Sequence, residues 1–312
     1  MLIKTLFLLI LLSSLINSQM LTRTKVGMGT FISISLDENN SKQVENCFNI
    51  FKDVEHSLSS YDYDAQIFKL NKNKKIEMDS YTYQALKLSE KYYAQTDGYF
   101  NIAIGSITKD LYRFGEDEHL PSEQKLQKAN VDFRGLSFDT KKAYLNKNMK
   151  LDLGGMGKGF GVDKVVQYLK TQNITKAIIS ASGDIRCLGI CHINIQNPYD
   201  DSFLASFDTS KDEMGISTSG NYNRYVTSTK NNHLINPKLK KSAQNFTSIT
   251  LISDISNSDL DAYATAVSVM PKEQAYQFLD SMHLAYIILQ SDKQLVISKN
   301  IDAFIKNLRT SY

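Results

Sequence analysis

"LDLGGMGKGFGVD", Leu151 to Asp163, sets five glycines, a lysine and two aspartates into thirteen positions, a third of the 15 glycines in the chain. A short strand is expected before it, over Lys150–Leu153, and a helix after it, from Val162 to Leu169. Glycines at such a junction let backbone N–H groups turn towards an anion at a helix N-terminus. They equally let a helix lie close against a strand. A nucleotide P-loop needs Gly-Lys-Ser/Thr, and here Lys158 is followed by Gly159. A dinucleotide fingerprint opens a βαβ unit, whereas the strand that follows, "KAIIS", runs into "ASGDI" without regular alternation around it. Taken alone, the stretch reads equally well as a packing turn and as a phosphate cradle.

Working outward, "TFISISL" alternates as a half-buried strand does, and Ser41–Leu58 spaces Val44, Cys47, Phe48, Phe51, Val54 and Leu58 along one helix face. A helix is predicted over Ser80–Ala94, then short strands at Leu136–Phe138 and Ala143–Leu145. "KAIIS", "CHINIQ", "FLASF" and "SITLI" read as strands, and Leu260–Val269 and Lys272–Met282 as helices. "LAYIILQ" and "QLVIS" are expected to close the chain as a hairpin. Mixed elements without βαβ alternation define an α+β fold, with mixed sheets and packed helices.

The first 18 residues, with Lys4 followed by the apolar run Leu6–Leu12, have the layout of a secretory signal, cleaved or retained as an anchor. Residues 19–312 remain as one expected domain. Of 312 residues, 36 are basic and 33 acidic, a formal charge of +3 with the lysines dispersed. No concentrated basic face results, so nucleic acid is not an expected partner. Cys47 falls on an apolar helix face. Cys187 and Cys191 bracket "LGI" in what reads as a tight strand–turn–strand, either bridged, the favoured reading after export, or free.

Other short blocks flank the glycine stretch: "VGMGTFISI", "SSYDYDAQIFKLN" and "TDGYFNIAIG" before it, and "ASGDI", "ISTSGNY", "HLINP" and "SDLDAYATAV" after it. In order and spacing they resemble the ApbE family, the FAD:protein FMN transferases, from about Met28 to the C-terminal hairpin. The fold this implies is the ApbE-like, T-fold-related one.

In "SDLDAYATAV", Asp261 and Thr265 stand four apart on one predicted helix face and offer hard oxygen ligands. The pattern alone favours a helix-start carboxylate and a core-facing threonine over a metal site. The resemblance implies that Asp261, Thr265 and the carbonyl of Gly155 hold Mg²⁺. It also places Lys158 by the pyrophosphate, Asp152 against FAD, and Tyr61 and Met28 against the flavin. Tyr99, Phe100 and Asn101 fall in the next contact segment, and Leu234 and Ile235 give apolar contacts. Asp163 matches a family aspartate, or simply supports the first turn of its helix. Ser219 and Gly220 are suited to a phosphate or a turn. His233 is the implied base for transfer, its ordinary pKa suiting that task. It stands in "HLINP", where Asn236 replaces the family's usual aspartate.

The implied activity is Mg²⁺-dependent transfer of FMN from FAD to a Thr or Ser of a partner flavoprotein, with release of AMP. Asp261 and His233 would be its catalytic residues. The implied acceptor is a subunit of an exported or membrane electron-transfer complex. The implied location is the periplasm, or the outer face of the inner membrane by way of an uncleaved signal. FAD hydrolysis to FMN and AMP, and flavin binding without catalysis, are the alternative readings.

Overall fold

Eight antiparallel strands form the central sheet of the computed structural model, which describes residues 19–311. Their spatial order is Met20–Gly27, Thr30–Asp37, Ala177–Ala181, Asp184–Leu188, Glu213–Gly220, Phe246–Ser253, Ala285–Gln290 and Leu295–Ile297. The expected signal lies outside the described residues. Among these, no helix is long and apolar enough to cross a membrane.

Three helices, Lys42–Leu58, Gly157–Thr171 and Asn257–Val269, pack on one face of the sheet. The first buries the residues its spacing predicts, Val44, Cys47, Phe48, Phe51, Val54 and Leu58. Burial pushes the Cys47 thiol up to about 12, so this free cysteine is inert core. A three-stranded sheet of Ile305–Thr310, Phe203–Thr209 and His192–Gln196 covers part of the opposite face. Ile193, Ile195 and Phe207 there meet Met214, Ile216 and Ile287 of the main sheet. A third sheet, Lys75–Glu77, Lys142–Leu145 and Leu136–Phe138, packs with helices Gln66–Asn73 and Ser80–Gln95.

Several expectations are corrected. The helix after the glycine stretch begins at Gly157, not Val162. A Cβ on Gly159 would lie 2.2 Å from the Asn257 carbonyl oxygen, and one on Gly161 would lie 2.7 Å from the Phe51 ring. Close helix–helix packing therefore outweighs the helical cost of about 1 kcal/mol per glycine. Lys150–Leu153 is no strand, since its backbone bonds to other partners. Leu151 exchanges hydrogen bonds of 2.7 and 2.8 Å with the Asn71 side chain, and the Asp152 N–H donates to the Ile102 carbonyl. The chain closes with Ile305–Thr310, not with the preceding hairpin.

Cys187 and Cys191 form a disulfide, Cα atoms 6.2 Å apart. They are not in a hairpin, because Asp184–Leu188 belongs to the main sheet and His192–Gln196 to the smaller one. The bond therefore ties the chain where it crosses between layers.

Candidate functional site

A cleft of about 1030 Å³ opens where the glycine stretch, helix Asn257–Val269 and loops from both chain halves meet. Met28, Tyr61, Tyr99, Phe100, Asn101, Asp152, Gly155, Lys158, His233, Leu234, Ile235, Asp261 and Thr265 all line it, as do Ser219 and Gly220. Asp163 does not. Its carboxylate accepts the N–H groups of Asn257 and Ser258, each at 2.8 Å, and the Ser258 hydroxyl. It thus caps the neighbouring helix that carries Asp261, satisfying N–H groups that a helix start leaves without partners.

At the floor, Lys158 Nζ lies 3.2 Å from Asp184 Oδ2 and 3.6 Å from Asp261 Oδ2. Burial works against the lysine's charge, but the two carboxylates hold its pKa well above the usual value. Burial and the facing Asp184 push the Asp261 carboxyl up, because one ammonium cannot balance two carboxylates. Asp261 Oδ2 also accepts the Gly159 N–H at 3.1 Å, and Thr265 Oγ1 donates to the Gly155 carbonyl at 3.2 Å. A Cβ on Gly155 would sit 2.9 Å from Thr265 Cγ2, so the close approach of that carbonyl depends on glycine.

The donors that converge here are a carboxylate, a hydroxyl and a carbonyl, all hard oxygens beside a deficit of positive charge. That set fits Mg²⁺, which keeps waters or phosphate oxygens in its remaining positions. No cluster of three His, Cys, Asp or Glu side chains suited to a metal occurs among the described residues.

The opposite wall is aromatic and cationic. Tyr61 donates its hydroxyl to the Phe114 carbonyl at 2.9 Å and receives a hydrogen bond from Arg224. Lys109 Nζ lies 3.0 Å from the Tyr61 ring centroid and 4.0 Å from Asp152 Oδ2, and it makes no hydrogen bond although buried. Burial, aided by Arg224, brings its pKa down to about 8 against the pull of Asp152. Asp152 takes the Thr108 hydroxyl at 2.7 Å and the Gly154 N–H at 3.0 Å. Burial opposes its charge, yet Lys109 and these donors hold its carboxyl below the usual range. Both its oxygens are thus engaged within the protein, and it shapes the glycine turn.

Asn101 is likewise occupied, its side chain bonding the Ala103 N–H and the Val131 carbonyl. Phe100 is 2% exposed and packs edge-on against Tyr92.

His233 Nδ1 lies 3.1 Å from the Arg224 carbonyl, which can only accept, so Nδ1 carries the proton and Nε2 is left as an acceptor. Burial and the Arg224 charge push this histidine down to about 4. The expectation of a base tuned near neutrality is thereby corrected: the imidazole is neutral and weakly basic. The Asn236 departure is absorbed structurally. Its oxygen accepts the Lys238 and Leu239 N–H groups at 2.9 Å, and its amide donates to the Val269 carbonyl, which a carboxylate could not do.

Sequence reasoning missed Lys109, Arg224 and Asp184. Lys109 lies in a wide turn, Thr108–Tyr112, with no periodic pattern to mark it. Arg224 follows the "SGNY" block, and Asp184 stands within the quoted "ASGDI", so both sat beside a visible signal.

The fold of packed sheets and helices around this cleft is that of solved ApbE proteins. The sequence model of the ApbE family matches residues 28–288, and the chain belongs to that family. It is 27% identical over 304 residues to the FAD:protein FMN transferase of Haemophilus influenzae, covering 88% of this chain and 86% of that one. It is 25% identical over 238 residues to the enzyme of the same name from Klebsiella pneumoniae, covering 72% and 75%. The ApbE protein of Thermotoga maritima superposes with a TM-score of 0.84 at 22% identity, over 93% of this chain and 100% of that one. Flavin transferase ApbE of Vibrio cholerae gives 0.80 at 19% identity, over 92% and 99%.

Proposed function

We propose that this protein transfers the FMN half of FAD to a Thr or Ser hydroxyl of a partner flavoprotein, releasing AMP, with Mg²⁺ bound at the floor of the cleft. The observation that carries this reading is the convergence of the Gly155 carbonyl, Thr265 and Asp261 in the same cleft as Tyr61 and His233. Asp261, Thr265 and the Gly155 carbonyl would hold the ion, which when bound neutralises charge on phosphate oxygens.

Lys158, kept charged by its carboxylates, donates to the pyrophosphate once the excess negative charge of the floor is offset by a bound Mg²⁺. Tyr61, with Arg224 and Lys109 behind it, offers a ring face to the isoalloxazine. His233 Nε2 accepts a hydrogen bond from the attacking hydroxyl and orients it. The hydroxyl oxygen bonds to the flavin-side phosphorus, the P–O bond to AMP breaks, and the hydroxyl proton passes to solvent. The secretory layout of residues 1–18 and the Cys187–Cys191 disulfide support export to an oxidising compartment.

Incubation with FAD, Mg²⁺ and candidate acceptor proteins, followed by mass measurement, tests the reading. The expected result is a covalent FMN adduct and stoichiometric AMP, both lost in Asp261→Ala. AMP without adduct would identify a hydrolase, and intact FAD a binding protein. Undiminished labelling by Asp261→Ala would rule out the metal site.

A further inference from the structure

The strand His192–Gln196 ends its three-stranded sheet, paired on one side only, with Phe203–Thr209. Thr209 N–H donates to the Cys191 carbonyl, so in this antiparallel register Cys191, Ile193 and Ile195 turn their backbone groups towards that neighbour. The N–H and C=O of His192, Asn194 and Gln196 therefore point away from the sheet, and no backbone group among the described residues pairs with them. The three side chains are exposed. No lysine or proline guards the strand, and its irregularity falls on the neighbour, which carries the extra residue Leu204. Unguarded edges of this kind readily accept a further strand.

The placement of this edge gives it a function. Asn194, Ile195 and Gln196 also line the cleft that holds Lys158, His233 and Asp261. We infer that the acceptor protein docks by laying an extended segment along His192–Gln196 as an added strand, carrying its hydroxyl-bearing side chain into the mouth of the cleft. This rests on the transferase reading above. Strand addition draws affinity from main-chain hydrogen bonds, so it suits an enzyme that must present one hydroxyl from otherwise different partners. A second copy of this chain on the same edge would cover the cleft mouth instead.

The probe is an unflavinylated candidate acceptor protein from the set assayed above. Amide hydrogen exchange of the full FAD- and Mg²⁺-loaded protein should show protection at His192, Asn194 and Gln196 when the probe is added. Asn194→Pro removes one outward N–H and leaves the ladder through Ile193 and Ile195 intact, as proline at an edge allows. Its KM for the probe should rise about tenfold, some 1.4 kcal/mol of lost docking. Circular dichroism checks the fold. If that variant misfolds, Asn194→Lys with Gln196→Lys puts charge on the edge without altering the backbone, and the same rise is expected.

An unchanged KM in a folded variant, or no protection at these amides while the wild type labels the probe, would overturn the docking site. A concentration-dependent dimer abolished by the edge variants, with no protection added by the probe, would overturn it in favour of a second copy. Failure of the wild type to form any adduct sinks the transferase reading instead. Protection at the edge would then still support docking, and its absence would end it.

Discussion

At the floor of the cleft Lys158 lies between Asp184 and Asp261, two carboxylates to one ammonium, while at the wall Lys109 and Arg224 stand near Asp152, with Glu116 also acting on Lys109. The floor is short of positive charge, whereas the wall holds cations of its own. A ligand bearing both a divalent cation and a phosphate chain is complementary to both at once. The two sides are also built differently. The floor comes from helices locked by glycine contacts, whereas the wall hangs on loops in which Tyr61 and Arg224 brace each other and the Phe114 carbonyl.

The sharpest way to break the floor is Lys158→Ala, which leaves two buried carboxylates facing each other without their cation. A loss of about 3 kcal/mol is expected, as for other broken buried pairs, read from the urea midpoint. Adding Asp184→Asn should recover most of it; no recovery would show that the lysine stabilises by packing alone. Next comes Gly159→Ala, whose methyl would press on the Asn257 carbonyl and cost about 2 kcal/mol. Gly157→Ala, with nothing nearer than Met28 Cε at 3.8 Å, should stay within about 0.5 kcal/mol of wild type. Equal losses from the two would refute the close-packing account.

At the wall, Lys109→Met takes from the Asp152 carboxylate the cation that most holds it ionised. It should lower the melting temperature, less than Lys158→Ala does because Thr108 and the Gly154 N–H still bond Asp152. FAD affinity, followed by flavin fluorescence, should weaken about tenfold, or 1.4 kcal/mol. Unaltered affinity would remove Lys109 from the site.

The titration of His233 is read as a pH slope and not from a single variant. Its folded pKa of about 4 lies below the 6.5 of an ordinary histidine, so between these values the unfolded chain binds the extra proton. Its contribution to stability is therefore present above about pH 6.5 and lost as pH falls towards 4. Wild type should lose stability over that window more steeply than His233→Gln. Parallel profiles would show that the ring is not held neutral.

Much of the scaffold was legible because period and position coincide in it. The Val44 to Leu58 face was buried as spaced, and of the Ala85, Leu86, Leu88 and Tyr92 face expected on the Ser80–Ala94 helix all but the half-buried Leu88 are buried. Lys150–Leu153 was misread because an extended, apolar look does not reveal whether the partner is a strand or the Asn71 side chain. The helix start at Gly157 was hidden because glycine propensity argues against it, and only the neighbouring helix supplies the reason.

By itself the sequence determined the α+β class, most element positions, and the blocks that mark the family, since these depend on local period and on residue identity. It also named side chains that share one cleft. Only the tertiary structure decided what each of them does there. Asp163 caps the helix of Asp261, Asp152 is engaged by Thr108 and Gly154, and Lys158 is shared by two carboxylates. His233 is driven neutral by burial and Arg224. Such roles depend on distances between groups far apart in the chain, on which pairing and pKa depend and which no local pattern encodes. The glycine stretch shows both halves: its flexibility was plain in the letters, and its use, helix contact at Gly159 and Gly161 and a carbonyl at Gly155 that meets Thr265, appeared only when the other elements closed around it.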